Sequence, residues 1–336
     1  MKTDRIMFYL DAPEIVSRKE EISIERDWAL FSVGTLCWTL QTYLHVRRSG
    51  LNVDLDCAPP KSGLVVVHAD DLHSLLGRVG SGIGLTIICI RADRTKQTYA
   101  DWEIVQNPAQ AQATRQRYIC LWPQPAIMPR SPERGSRVEV VAFKGETSQL
   151  HSLFHSYDWI TTLAREGIEF RLDTATFQGK SKAHINTSWN DFREVDAILA
   201  VRTNLASRYD HKPASKLLNA WIAGTPALLG PESAYRALRE SELDYFEVAT
   251  TDDALTALRR LRDDQRLFRS VVDNGYQRAR KYSIHEITAT WQRLLDDATT
   301  FNETRFGKLL SHTPIGLRKL FREICGADPR SRWPLT

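Results

Sequence analysis

The sequence predicts an α/β protein of two Rossmann-like domains facing one another across a cleft, with helices at its C-terminus. Three observations lead there. Short apolar runs that suit buried parallel strands occur in both halves, at Ile6-Met-Phe-Tyr-Leu10, Leu64-Val-Val-Val67 and Leu85-Thr-Ile-Ile-Cys-Ile90, then at Val138-Glu-Val-Val-Ala-Phe143 and Ala197-Ile-Leu-Ala-Val201. Stripes of helical period separate them, the alternation that doubly wound sheets require. Between the halves Pro123, Pro125, Pro129 and Pro132 mark an extended, stiff connection. The expected organisation is a first domain over residues 1–122, a Pro-rich linker over 123–137, a second domain over 138–283, and C-terminal helices with a basic amphipathic tail over 284–336.

Length and composition fit this scheme. A chain of 336 residues suffices for two ordinary domains, and 42% hydrophobic against 26% charged residues describes a soluble globular protein rather than a disordered one. The formal charge of +4 is too slight to argue for a nucleic-acid partner. None of the five cysteines forms a C-x-x-C pair, and Cys89 and Cys120 fall in apolar runs, a pattern of buried free thiols in a reducing compartment. No run approaches the roughly 18 apolar residues of a membrane span, so a cytoplasmic protein is expected.

In order, Ile6 to Leu10 is a strand stopped before Pro13, which cannot donate to a central ladder. Residues up to Ser32 lack a clean period and read as an excursion. Gly34-Thr35 opens a helix faced by Leu36, Leu40, Tyr43 and Leu44 and closed by Arg47-Arg48 at its negative end. Leu51, Val53 and Leu55 alternate as a strand. The runs ending at Val67 and Ile90 lead into His68-Ala-Asp70-Asp71 and Arg91-Ala-Asp93-Arg94. Ligands of open parallel sheets gather beyond the carboxyl ends of strands, although salt-linked surface loops account for these charges equally well. Between these strands Gly80, Gly82 and Gly84 alternate, which is not the G-x-G-x-x-G of a dinucleotide site.

Tyr118-Ile-Cys-Leu121 is the last strand of the first half. In the second half, Lys144-Gly145-Glu146-Thr147 leads from strand to a helix bearing Leu150, Leu153 and Phe154. That loop can aim backbone N–H groups at a phosphate, with Lys144 adding charge, and a plain capped turn explains it as well. Ile168 to Leu172 is a strand, residues 173–187 a polar loop, and Trp189 to Val195 a short helix feeding the strand that ends before Arg202.

Residues 211–233, HKPASKLLNAWIAGTPALLGPES, are the most informative stretch. Pro213 suits a first helical turn, Leu217, Leu218, Trp221 and Ile222 form the buried stripe, Gly224 ends the helix and Pro226-Ala-Leu-Leu229 is a strand. Lys212 and Lys216 lie at the helix N-terminus, whose N–H groups and dipole favour a phosphate. With Arg202 they place three cations on one rim, as a nucleoside diphosphate demands. Tyr245 to Val248 and helices carrying Leu255, Leu258, Leu261, Val271 and Tyr276 complete the half.

The run LLNAWIAGTPALLG resembles the donor-site helix and strand of GT-B glycosyltransferases, a small-residue-rich helix ending in A-x-G-x-P before an apolar strand, and Lys216-Leu-Leu-Asn219-Ala is similar to the K-L-x-N-A segment of the fucosyltransferase-like branch. The resemblance extends over roughly residues 138–291. It implies a first domain that takes the acceptor, a second that takes a UDP- or GDP-sugar, and a terminal helix near residues 284–295 that crosses back to the first domain. It further implies that Lys216 meets the donor diphosphate, and with the positions read above the expected donor-diphosphate set is Arg202, Lys212, Lys216, Lys144 and Gly145, the nucleoside and ribose set His211, Asn219, Glu232 and Ser233, and the acceptor-side set Gly34, Arg91 and Arg94. Where the retaining pattern of the family carries two glutamates, this chain has His211 and Asn219, so the stereochemical outcome stays open.

The expected activity is metal-independent transfer of a sugar from a nucleoside diphosphate sugar to an acceptor hydroxyl of a glycan, glycolipid or small molecule, in polysaccharide or glycolipid biosynthesis, without a cofactor. No D-x-D stands where a metal would be held, and Asp70-Asp71 are adjacent and point apart, so cations must neutralise the leaving group. An inverting enzyme needs a base in the first domain, for which Asp11, His68 and Asp93 qualify by position. A nucleotide-sugar epimerase of the same architecture and a non-catalytic basic adaptor are the alternatives. The adaptor reading draws on residues 305–325, where Ile315, Leu317, Leu320, Phe321 and Ile324 accompany Arg318, Lys319 and Arg322. This helix is expected either to dock its apolar face on its own domain, the commoner outcome, or to make a peripheral membrane contact.

Overall fold

A computed structural model describes residues 6–112, 115–178, 182–185 and 189–325. Contacts divide the chain into two compact units, one of Met1–Trp122, His211–Pro213 and Ile284–Thr336, the other of Pro123–Asp210 and Ala214–Ser283.

The first unit is built on six parallel strands, β1 (Ile6–Tyr9), β2 (Val53–Asp56), β3 (Gly63–His68), β4 (Leu85–Ile90), β5 (Trp102–Val105) and β6 (Gln116–Tyr118), in the order β2-β1-β3-β4-β5-β6. β3 and β4 are buried along their whole length, which is why their sequences are continuous apolar runs rather than alternating ones. Helices α1 (Pro13–Val16), α2 (Gln41–Arg48) and α3 (Ala69–Val79) connect the early strands. A π-helical turn over Leu36–Leu40 precedes α2. β5 escapes a sequence reading because Glu103 lies in its middle; the structure buries that carboxylate completely and sets Arg115 3.0 Å from it.

The second unit has the order β12-β11-β10-β7-β8-β9, from β7 (Val140–Gly145), β8 (Glu169–Gln178), β9 (Lys182–Ile185), β10 (Ala197–Ala200), β11 (Ala227–Leu229) and β12 (Phe246–Glu247), with α4 (Tyr157–Arg165), α5 (Ser215–Ala223), α6 (Ser233–Leu238), α7 (Thr251–Asp263) and α8 (Gln265–Arg280). All pairings are parallel except β8 with β9. Three expectations are corrected here. The helix expected directly after Gly145 is a pair of 3-10 turns over Thr147–Gln149 and Ser152–His155; α4 starts only where the Ser156 hydroxyl caps the Trp159 amide at 3.2 Å. The loop expected over 173–187 is instead occupied by the end of β8 and by β9, an antiparallel hairpin, with 179–181 and 186–188 outside the described residues. The helix expected over 189–195 is a turn that bridges Asp191 to Met128 and buries Phe192.

The Pro-rich stretch expected as a linker is bound into this unit. Met128 donates its amide to Asn190 O, Arg130 to Ala223 O and Ser131 to Arg193 O, each at 2.9–3.0 Å. Its Arg130 and Arg134 converge on the buried Asp196.

The chain then returns to the first unit with α9 (Ile284–Glu303), α10 (Arg305–Ser311) and α11 (Ile315–Cys325). α9 packs along α2, with Gln292 donating to the Ser49 hydroxyl at 3.1 Å. α11 does dock on its own unit, but among the described side chains of the expected apolar face only Ile315 turns inward. Ile315 is buried, and beside it Arg318, only 2% exposed, donates to Asp101 at 2.7 Å, whereas Leu317, Leu320 and Phe321 point outward. Among the described residues no helix is long and apolar enough to cross a membrane.

Candidate functional site

In each sheet the chain reverses its direction of winding once, between β1 and β3 in the first unit and between β7 and β10 in the second. Loops leaving the carboxyl ends of two such strands turn apart, and the crevice between them is where open α/β sheets bind ligands. Asp11 and His68 leave the first switch point. Gly145 and Arg202 leave the second.

At the second switch point β7 ends in Lys144 and Gly145. Gly145 has φ 155°, and a Cβ there would lie 3.2 Å from Phe143 Cζ and 3.3 Å from Lys216 Nζ. The glycine therefore makes room for the Lys216 ammonium, which rests 5.4 Å above the Phe143 ring. Lys216 is in the first turn of α5, whose N-cap, Ala214, makes no side-chain capping bond. The rest of α5 fixes this end: Leu217, Leu218, Ala220, Trp221 and Ala223 are buried, and the Trp221 indole donates to Asp244 O at 2.9 Å. Gly224 closes the helix in the left-handed region at φ 68°.

The three expected cations and Lys144 do not act alike. Lys144 is buried and turned away from the rim, with Nζ 2.6 Å from Asp173 Oδ2; burial pushes its pKa down against the pull of that carboxylate. Lys212 belongs to the first unit and bonds Asp93 at 2.6 Å. Arg202 stays at the end of β10, held by Glu232 at 2.7 Å and Gln149 Oε1 at 2.9 Å over the ring of Tyr209. Burial disfavours its charge, and Glu232 more than restores it, leaving its pKa raised. The structure thus brings Gly145 and Lys216 together, keeps Arg202 on the adjacent strand, turns Lys144 onto Asp173 and pairs Lys212 with Asp93 inside the first unit.

The nucleoside candidates fare likewise. Glu232 is buried and committed to Arg202, and Ser233 opens α6 with its amide on Arg208 O at 3.1 Å. Asn219 donates to Gln124 Oε1 at 2.9 Å, and His211 falls in the first unit with Lys212. Gln149, Tyr209 and Gln124 escaped the sequence reading. Tyr209, at φ 49°, is a non-glycine residue in the left-handed region, a strain that sequence does not display.

In the first unit, His68 is expected as a base, and its geometry argues against it. Its Nδ1 accepts the Asp70 amide at 3.1 Å, capping α3, so the neutral ring carries its proton on Nε2 and has no lone pair left to take another. Burial pushes its pKa down to about 4. Asp93 bonds both Lys212 at 2.6 Å and Arg94 at 2.8 Å; burial opposes its charge, and these cations still hold its pKa below the usual carboxylate range. Asp11 has one cation, Arg78, at 2.9 Å. Of the residues expected to meet an acceptor, Arg94 grips Asp70 with two bonds of 2.6 and 2.8 Å. Arg91 is buried against Gln110 and near Glu103, and Gly34 opens its helix with open space where a Cβ would stand. Ala92, between Arg91 and Asp93, has φ 50°.

No family model matches this sequence, and no curated protein is similar to it in sequence. Solved structures are similar in fold. HepE of Anabaena, crystallised with UDP and glucose, superposes with a TM-score of 0.52 at 11% identity, over 87% of this chain and 99% of HepE. AviGT4, a glycosyltransferase of avilamycin A biosynthesis, gives 0.53 at 11% identity over 88% and 98% of the two chains. TarM gives 0.52 at 10% identity, over 77% of this chain and 58% of TarM. The two parallel sheets with C-terminal helices are the GT-B glycosyltransferase fold.

Proposed function

We propose that the protein transfers a sugar from a nucleoside diphosphate sugar to an acceptor hydroxyl, without a metal ion. The observation that carries this reading is the pairing of Gly145 and Lys216 at the switch point of the second sheet, where a backbone loop, a helix N-terminus and an ammonium group meet. Charge accumulates on the diphosphate as the glycosidic bond breaks, so a cation fixed there binds the transition state more tightly than the donor. Arg202, braced by Glu232, holds the same leaving group from the next strand. The fold shared with HepE, which was crystallised with UDP and glucose, supports a uridine diphosphate sugar as donor. For an inverting transfer Asp11 is the base we assign, because His68 has spent its acceptor nitrogen and Asp93 carries two cations. Cys89 and Cys120, both buried free thiols, support action in a reducing compartment.

The test is thermal-shift screening against nucleoside diphosphates and their sugars. A ligand at about 100 times its Kd adds about 2.7 kcal/mol to a folded site, a rise of several degrees. One nucleoside diphosphate should raise Tm above all others, and its sugars should do the same. A panel in which no member shifts Tm contradicts the proposal.

A further inference from the structure

Helix α11 is amphipathic in the reverse of the usual sense. Its inward face is Ile315, Arg318 and Arg322. Ile315 joins the core cluster of Val65, Val67 and Leu75 and fills the space over Gly82. Arg318 donates to Asp101 at 2.7 Å and to Leu85 O at 3.0 Å, and Arg322 grips the other oxygen of Asp101. With arginines in the inward positions, the apolar residues at i, i+3 and i+4 are turned out: Leu317, Leu320 and Phe321 are 49%, 48% and 59% exposed, and Leu309 of the preceding α10 is 67% exposed. A stripe of large apolar side chains left in water needs a covering surface.

Charge identifies that surface. Residues 305–325 hold five basic side chains and one acidic, a net +4 that equals the formal charge of the whole chain, so the remainder is balanced. Asp101 offsets one of the two arginines it binds, Glu323 offsets Lys319 at 3.2 Å, and Arg305 and Lys308 stand exposed on α10. Two copies of this face would oppose like charges, which disfavours self-association through it. Leucines and an aromatic ring outward on α11, with Leu309, Arg305 and Lys308 exposed on the α10 that precedes it, suit helices lying in the headgroup layer of an anionic bilayer. We infer that α10 and α11 lay this face on an anionic lipid surface. The inference is independent of the sugar-transfer reading.

The test is co-sedimentation of the full chain with vesicles of phosphatidylcholine alone and of phosphatidylcholine with phosphatidylglycerol. The expected result is binding to the anionic vesicles only, weakened by salt. It should also fall about ten-fold or more in Leu320→Ser/Phe321→Ser, since the lost apolar burial carries much of the affinity. Both side chains are exposed, so Tm should hold; Lys308→Glu, which removes charge alone, gives a second variant with weaker anionic binding. Absence of binding to either vesicle, or equal binding by wild type and both variants, overturns the inference. So does a dimer seen by light scattering that the double variant dissolves while no vesicle binds.

Discussion

The imidazole of His68 leaves the carboxyl end of β3, where its sequence position made it a candidate base, yet its Nδ1 is occupied by the Asp70 amide and burial pushes its pKa down to about 4. In the unfolded chain the same ring titrates near 6.5. The unfolded state therefore binds more protons between those values, so the stability that neutral His68 permits is present above about 6.5 and is lost as pH falls toward 4. His45, also pushed down to about 4 by burial, adds to the same slope. His68→Asn keeps a capping acceptor and removes one titration. Its Tm should fall less steeply than that of the wild type between pH 6.5 and 4; parallel slopes would show that His68 is not the group responsible. The sequence placed His68 and Lys144 at strand ends correctly. It could not show that one is spent on a helix cap and the other on Asp173, because those partners are set by the backbone path and by a strand 29 residues away.

Among the elements, the Pro-rich stretch and the starts of β7 and β10 are held together by one carboxylate. Asp196 accepts from Arg130 at 2.8 Å, from Arg134 through two bonds of 2.7 Å, and from the amides of Glu139 and Val140 at 2.8 and 3.0 Å. Burial alone would raise its pKa, and these donors more than reverse that, so its contribution holds above the unfolded value and is lost as pH drops below it. Asp196→Ala leaves two guanidiniums buried without their acceptor and should cost about 3–5 kcal/mol in urea unfolding. A loss under 1 kcal/mol would mean that water replaces the carboxylate. α5 and β11 were legible because Gly224 and Pro226 punctuate an apolar stripe and an apolar run. β5 was not, since Asp101 and Glu103 break its apolar pattern and are reconciled with burial only by Arg318, Arg322 and Arg115. α11 was misread for a related reason: helical period groups residues on a face, and only the distant Asp101 decides that the arginine face goes in.

At the scale of the molecule, the alternation of strand and helix made most of both sheets readable, while the grouping of residues 211–213 with the first unit, where Lys212 bonds Asp93, lies beyond any local pattern. All six strands of the second sheet and α4 to α8 lie between Pro123 and Ser283. A fragment of residues 123–283 should therefore unfold in one cooperative transition by circular dichroism; a fragment without such a transition would show that this unit does not fold alone.

The central claim is that Lys216 holds the diphosphate, and Lys216→Ala in the full chain tests it most directly. Calorimetry with the nucleoside diphosphate selected by the thermal screen, followed by steady-state kinetics with its sugar, gives both readouts. The account predicts unchanged Tm, weaker diphosphate binding and a kcat lower by roughly 10²-fold or more, the loss expected for one preorganised charge donor. A folded Lys216→Ala protein with wild-type diphosphate affinity and wild-type kcat would contradict it.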